Sequence, residues 1–328
     1  MEVKKAILAT VAYYDKLDYP LTLFEVHRFL INPKRLFVET GGLGDIALSE
    51  IADLLDELQD IKVVEERRGM YMLAGRSSLV TERIEREKIA GQKWKTFVRK
   101  AWWLQFTPWI RGMFASGSLA LDNTVESSDF DILVVAQPRR IYLARLALST
   151  IASLLGARRT KHDAEAPDKF CFNHYITADR LTIPHQSLFN AQTYAHLTPV
   201  WPDKKLAGEF FAANLWINKF VYNFKPHQDM ILKTVTESRT MRSIARFIER
   251  IFDNAFGNVL ERWAKRYQQR RIVDNPTTHA PGGRVVYTDH ELEFHPRSFE
   301  RVVLDAYNNA LLHLAISSRP EPDSGLNR

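Results

Sequence analysis

Apolar residues recur at helical spacing through the first sixty positions and then change period. Lys4 to Tyr14 carries an amphipathic helical pattern. After the Tyr19-Pro20-Leu21 turn, Thr22 stands where it can cap a second helix running from Leu23 to Leu30. Ile51, Leu54, Leu55 and Leu58 mark a third helix over Leu48 to Leu58. Ile61 to Val64 and Met70 to Leu73 then read as two short strands around the polar stretch Glu65 to Gly69. From Ser78 to Ala101 the pattern is helical and highly charged, and the alternating signs of Thr81 to Lys88 predict an exposed helix braced by local ion pairs. Trp94, Phe97, Trp102, Trp103, Phe106 and Trp109 follow, and packing between modules is their expected role.

The middle of the chain alternates between periods. Met113 to Ala115 reads as the end of an apolar strand and Asp129 to Val135 as a buried one. Pro138 to Leu155 reads as a helix stopped by Gly156, and Phe170 to Ile176 as another strand. Beyond Leu181 the pattern is largely helical: Gln186 to Leu197, Leu206 to Phe224 and Thr240 to Arg270, with a break at residues 198–202. Arg284 to Tyr287 is a short strand or hairpin, followed by a closing helix from Arg297 to Ile316. The fold class is therefore α+β, a mixed sheet with helices. The expected divisions are an N-terminal module at 1–77, a linker helix at 78–104, a catalytic domain at 105–182, a C-terminal mainly helical domain at 183–316 and a disordered tail at 317–328.

Composition narrows the classes. The chain has 328 residues, 45% of them hydrophobic, with a single cysteine and a net charge of +6. That is ample for packed cores and leaves no disulfide framework, so a reducing, cytoplasmic setting is expected, with Cys171 a core residue. The first residues lack an apolar stretch long enough for a signal peptide, and no run approaches a membrane span, so no membrane partner is expected. The histidines show no zinc-ligand spacing, and His174, His185 and His196 share no predicted element.

The candidate chemistry lies in GSLALDNTVESSDFDILVV. Asp129 and Asp131, two apart on a strand, leave the same face about 6–7 Å apart. Two carboxylates so placed can hold divalent ions about 3.5–4 Å apart, the spacing that clamps both oxygens in phosphoryl transfer. Gly117 and Ser118, after the apolar strand, let the backbone approach a triphosphate, and Ser118 adds a hydroxyl. This combination resembles the nucleotidyltransferase superfamily that includes polymerase beta, and the Ser127-Ser128-Asp129 flank is similar to its bacterial minimal branch. The resemblance covers about residues 105 to 180. It implies magnesium, or manganese in its place, on Asp129 and Asp131, and an NTP held by Gly117, Ser118 and Ser128. Lys219 is a further candidate triphosphate contact, and the basic residues Arg262, Lys265, Arg266, Arg270 and Arg271 are candidate acceptor or phosphate contacts. The acceptor of the nucleotidyl group is a small molecule, a protein or an RNA; no residue chooses among them.

The family pattern expects a third carboxylate on the next strand, as general base and second metal ligand. Asn173 or His174 stands there instead, and Asn173 is the candidate catalytic replacement, offering a neutral oxygen. Asp163, Glu165 and Asp168 lie upstream in a predicted loop. The departure leaves open a degenerate nucleotidyltransferase fold that senses nucleotide or serves as a scaffold or regulator. The N-terminal pattern of three helices and a hairpin resembles a winged helix, with Arg67-Arg68-Gly69 at the wing tip. Its third helix is acidic where a DNA reader would meet phosphate, so sequence-specific DNA is not the expected partner.

Overall fold

Helix α1 (Glu2–Asp15) is the axis on which the N-terminal part assembles. The computed structural model describes residues 2–36, 44–160, 163, 165–201, 203–226, 233–296 and 298–316. Far from being a one-sided amphipathic helix, α1 is buried over Ala6 to Asp15. The reason is tertiary: it is wedged between α3 (Leu48–Asp60) and a small sheet on one flank and the C-terminal helix α11 (Glu300–His313) on the other. Thr22, ending the two-residue strand β1 (Leu21–Thr22), caps α2 (Leu23–Arg28) in a reciprocal box with Glu25.

The hairpin is displaced from its predicted place. Strand β2 is Val64–Arg67, running through the stretch read as a polar break, and pairs with β3 (Met70–Leu73), which also pairs with β1. A two-residue turn at Arg68-Gly69, both with positive φ (55° and 76°), sets this register. The turn geometry overrides the hydrophobicity of Ile61 to Val63, while Glu65, Glu66 and Arg67 suit an edge strand.

Helix α4 (Leu79–Trp103) carries the expected local pairs, such as Arg86–Glu82 and Lys88–Glu85. It is not merely an exposed connector, because Arg83 and Lys93 are each 5% exposed. Arg83 donates twice to Glu25, at 2.8 Å each, and lies 4.2 Å over the Tyr19 ring. Lys93 donates to Asp168 and to the Ser128 carbonyl, both at 2.8 Å. The helix thus joins the N-terminal part to the loop before Asp129.

The central sheet has six strands in the order β7-β4-β5-β6-β9-β8. Strands β4 (Ile110–Ala115) and β5 (Phe130–Ala136) are antiparallel, separated by the single-turn helix α5 (Gly117–Ala120). Strand β6 (Phe170–Thr177) is parallel to β5, and α6 (Ile141–Leu154) makes the crossover that parallel pairing requires. Strands β7 (Thr198–Pro199), β8 (Arg284–Tyr287) and β9 (Glu291–His295) complete a mixed sheet, with β9 antiparallel to β6. The architecture is mixed α+β, and its sheet takes strands from both sides of the boundary expected at residues 182–183.

Alternation along β5 divides the core. Phe130, Ile132 and Val134 join Trp94 and Phe97 of α4 and Leu148 of α6. Leu133 and Val135 face the opposite way, with Ile7 of α1, Leu188 of α7 (Leu188–Ala195) and Leu304 of α11.

Two long predicted helices are broken. The one expected over Leu206 to Phe224 ends as α8 (Lys204–Ala213), followed by a 3₁₀ turn at Leu215–Lys219. Asn214 is fully buried at the break: its oxygen accepts from Ile183 N–H and Trp216 Nε1–H, and its nitrogen donates to the carbonyls of Leu181 and Phe210. The one expected over Thr240 to Arg270 is α9 (Arg239–Ile251) and α10 (Ala255–Val273), with Asn254 capping α10 through Gly257 N–H. A Cβ on Gly257 would lie 1.8 Å from the Phe252 carbonyl oxygen, so this junction requires glycine. The tail at 317–328 lies outside the described residues. No helix among those described is long and apolar enough to cross a membrane.

Candidate functional site

Strand β4 hands the chain directly to Asp131. Ser116 N–H donates to the Asp131 carbonyl at 2.9 Å, and Gly117 turns with φ +64° beside the Asp131 carboxylate. A Cβ at Gly117 would stand 2.4 Å from Asp131 Oδ2. Glycine is needed twice over here, for the left-handed backbone and for the approach. The Ser118 hydroxyl lies 3.4 Å from that of Thr124, which is buried.

Asp129 lies one residue before β5, and its carboxylate converges with that of Asp131. The ligand atoms of Asp129, Asp131 and Cys171 all lie within 4.8 Å of one another. Arg159 Nη1 donates to Asp129 Oδ2 at 2.6 Å. Burial, and after it the Asp129 charge, push the Asp131 carboxyl up to about 7, against the opposing pull of Arg159 and of hydrogen bonds from Cys171 and Asn173. Cys171, expected as an inert core residue, stands with these acids instead. Burial and the two carboxylates drive its thiol well above the usual range, so it is a neutral S–H and a poor ligand for a hard cation.

Asn173 is beside Asp131, but by its nitrogen: Nδ2 donates to Asp131 Oδ1 at 2.8 Å. The expectation of a neutral oxygen presented toward the acids is corrected: Asp131 Oδ1 is an acceptor, so the amide turns its N–H group to it. A register shift between Asp131/Cys171 and Leu133/His174 inserts one extra residue in β6. By this bulge both Asn173 and His174, neighbours in sequence, line one cavity.

That cavity has a volume of about 460 Å³. Gly117, Ser118, Asp131 and Asn173 form one end, and His174, Tyr194, Glu293, His295 and Glu300 the other. Tyr13 and Tyr14 of α1 form part of the wall. The N-terminal part is thus built into the site. Tyr14 donates to Gln192 at 2.8 Å and also meets His196 Nε2 at 2.8 Å.

Four of the nucleotide and base candidates lie elsewhere. Ser128 does not line the cavity: its hydroxyl accepts from Val125 N–H and its carbonyl holds Lys93. Lys219 is exposed on the 3₁₀ turn that leads into the Phe220 contact with Asn32, outside the cavity lining, because the break at Asn214 redirects the chain. Asp168 is bound to Lys93, and Asp163 pairs with Lys169 and Thr160 N–H.

Sequence reading missed the inner end. Glu293 is 4% exposed, and Glu300 is 2% exposed with Oε1 lacking a hydrogen-bond partner. Burial raises the Glu293 carboxyl, but His174, His295 and Arg284 outweigh it and hold the group below its usual range. His174 Nε2 meets Glu291 at 3.1 Å and its Nδ1 the Tyr194 hydroxyl at 3.2 Å; His185 meets Glu300 at 2.9 Å. The histidines that share no element are therefore each matched to an acid or phenol by the tertiary fold. The available signal was the period-two run Glu291-Leu292-Glu293-Phe294-His295, which marks a strand with its polar residues on one face. Compared with protein-family models, with curated proteins and with solved structures, the chain matches none.

Proposed function

We propose that this chain is a nucleotidyltransferase that moves a nucleoside monophosphate from an NTP to a hydroxyl of a small-molecule acceptor. The observation that carries the reading is the convergence of the Asp129 and Asp131 carboxylates against Gly117, whose missing side chain opens the space beside Asp131. Two crowded acids, with one arginine paired to Asp129, suit a hard divalent cation, magnesium or manganese, held by Asp129 and Asp131. When bound, it supplies charge neutralisation of the phosphates.

Gly117 and Ser118 border the triphosphate, and Arg159 fixes Asp129. The acceptor oxygen bonds to the α-phosphorus, the bond to the β-phosphate oxygen breaks, and pyrophosphate leaves. Asn173, an amide, does not take the acceptor proton; Glu293, ionised and ion-paired with Arg284 at the other end of the same cavity, holds the acceptor by a second polar group. A group that reaches Glu293 and Glu300 passes between α1, α7 and α11, which favours a small acceptor over a protein loop or RNA end. The N-terminal part, which has the order of elements of a winged helix, walls the site. The face of α3 carrying Glu50, Asp53, Asp56 and Glu57 is exposed and acidic, which disfavours DNA reading.

The test is pyrophosphate release from each NTP with magnesium, scanned over small hydroxylated acceptors, for wild type and Glu293→Gln. Turnover in the wild type, with the acceptor KM raised and both kcat at saturating acceptor and Mg-NTP affinity retained in the variant, supports the assignment. The neutral amide on Asp131 favours one second reading, a nucleotide sensor without turnover. Mg-NTP binding with no turnover over the acceptor scan would select it. Absence of any Mg-NTP binding would overturn both.

A further inference from the structure

The charge of this chain is concentrated in one place. Residues 239–273, which form α9 and α10, carry nine Arg and Lys against three Asp and Glu, a surplus equal to the +6 of the whole chain. Two of the three acids are turned inward: Glu249 pairs with Arg111, and Glu261 accepts from the N–H groups of Tyr142 and Leu143. Arg246, Arg250, Arg262, Arg266 and Arg270 are exposed, and among the described residues they make no ion pair.

Large apolar side chains are exposed on the same two helices. Helix α9 exposes Ile244, Phe247 and Ile251, and α10 exposes Phe256, Val259 and Trp263, each row at helical spacing. Phe247, Phe256 and Trp263 are 63%, 60% and 58% exposed. The buried stripe of α10, with Ala264 and Gln268, packs against α6, on the side of the sheet away from α1, α7 and α11. The exposed row therefore belongs neither to the core nor to the cavity.

We propose that α9 and α10 dock on an anionic lipid bilayer surface, with the aromatic and aliphatic side chains entering the headgroup region and the arginines meeting lipid phosphates. Arginines beside exposed Trp, Phe and Ile are the combination that seats helices in the membrane interface without crossing it. A second copy of this chain is a poor occupant, because two such faces would set arginine against arginine. Nucleic acid would use the arginines and aromatics but leave Ile244, Ile251 and Val259 uncovered.

The full chain is tested by flotation with vesicles of pure phosphatidylcholine and of mixed phosphatidylglycerol and phosphatidylcholine. Binding to the mixed vesicles alone, weakening as salt rises, is expected. At about a fivefold gain in partitioning per arginine near the surface, Arg262→Gln/Arg266→Gln/Arg270→Gln lowers it roughly a hundredfold. Phe247→Ser/Trp263→Ser reduces binding to a similar extent with an unchanged melting transition. No flotation with anionic vesicles, equal flotation with neutral ones, or wild-type binding by both variants overturns the proposal. So does tighter binding to single-stranded RNA than to vesicles, or a dimer that the Phe247/Trp263 variant dissolves. None of these readouts depends on nucleotidyl transfer.

Discussion

Replacing Asp131 by Asn removes one of two carboxylates that the fold forces together, and the consequence for stability can be worked out. The carboxyl rises from the ordinary 3.8 to about 7, first because it is buried and then because Asp129 is beside it. Between about pH 4 and 7 the folded protein therefore keeps a proton that the unfolded chain has released. Stability falls as pH rises through that window and levels off above it. That rise corresponds to roughly 4 kcal/mol lost by pH 8. The substituted amide does not titrate, but it must be buried beside Gly117, so about 1–3 kcal/mol of relief should remain. For a chain of this size that is a melting temperature about 1.5–4.5 °C higher than wild type at pH 8, and none at pH 4.5. Differential scanning calorimetry in a metal chelator measures it. Adding magnesium should then stabilise the wild type and not the variant. A gain as large at pH 4.5 as at pH 8, or the same slope of stability against pH in both proteins, would refute the reasoning.

Gly117→Ala combines a left-handed backbone with a contact of 2.4 Å on Asp131, so it should lose about 2–3 kcal/mol of stability in denaturant titration and weaken Mg-NTP binding in calorimetric titration. Asn214→Ala leaves the Ile183 N–H and Trp216 Nε1–H without their acceptor in the core; a loss of about 3–4 kcal/mol, read as a lower urea midpoint, is expected. Asn173→Asp puts a third carboxylate against Asp131, so the metal-free protein should be destabilised above pH 7 and magnesium should restore it, as seen in melting curves with and without the ion.

How much of this was legible depends on how local the determinant is. The Thr22 cap, the charged helix α4, the strands β5 and β6 and the crossover helix α6 follow from residues within a turn or a strand of one another, and periodicity reads such signals directly. So does the Gly-Ser and Asp-x-Asp pattern, because short strands and a tight turn bring Gly117, Asp129 and Asp131 together almost without help from the rest of the chain. The register of the Arg68-Gly69 hairpin was equally local but was read by hydrophobicity instead of turn chemistry.

Other features exist only because distant segments meet. Arg83 and Lys93 look like solvated charges until Glu25 and Asp168, 58 and 75 residues away, supply their partners. The breaks at Asn214 and Asn254 are set by hydrogen bonds and by close backbone approach, which an apolar period of 3.6 does not register. Glu293 joins the cavity because β9 adds to β6 across more than a hundred residues, and Asn173 and His174 line it together because of a one-residue bulge. The sequence by itself determined the acidic pair and its glycine, since their spacing is fixed by local geometry. Only the tertiary structure decided the inner carboxylates and the tyrosine wall from α1, because burial of charge and long-range strand pairing depend on the whole chain's packing.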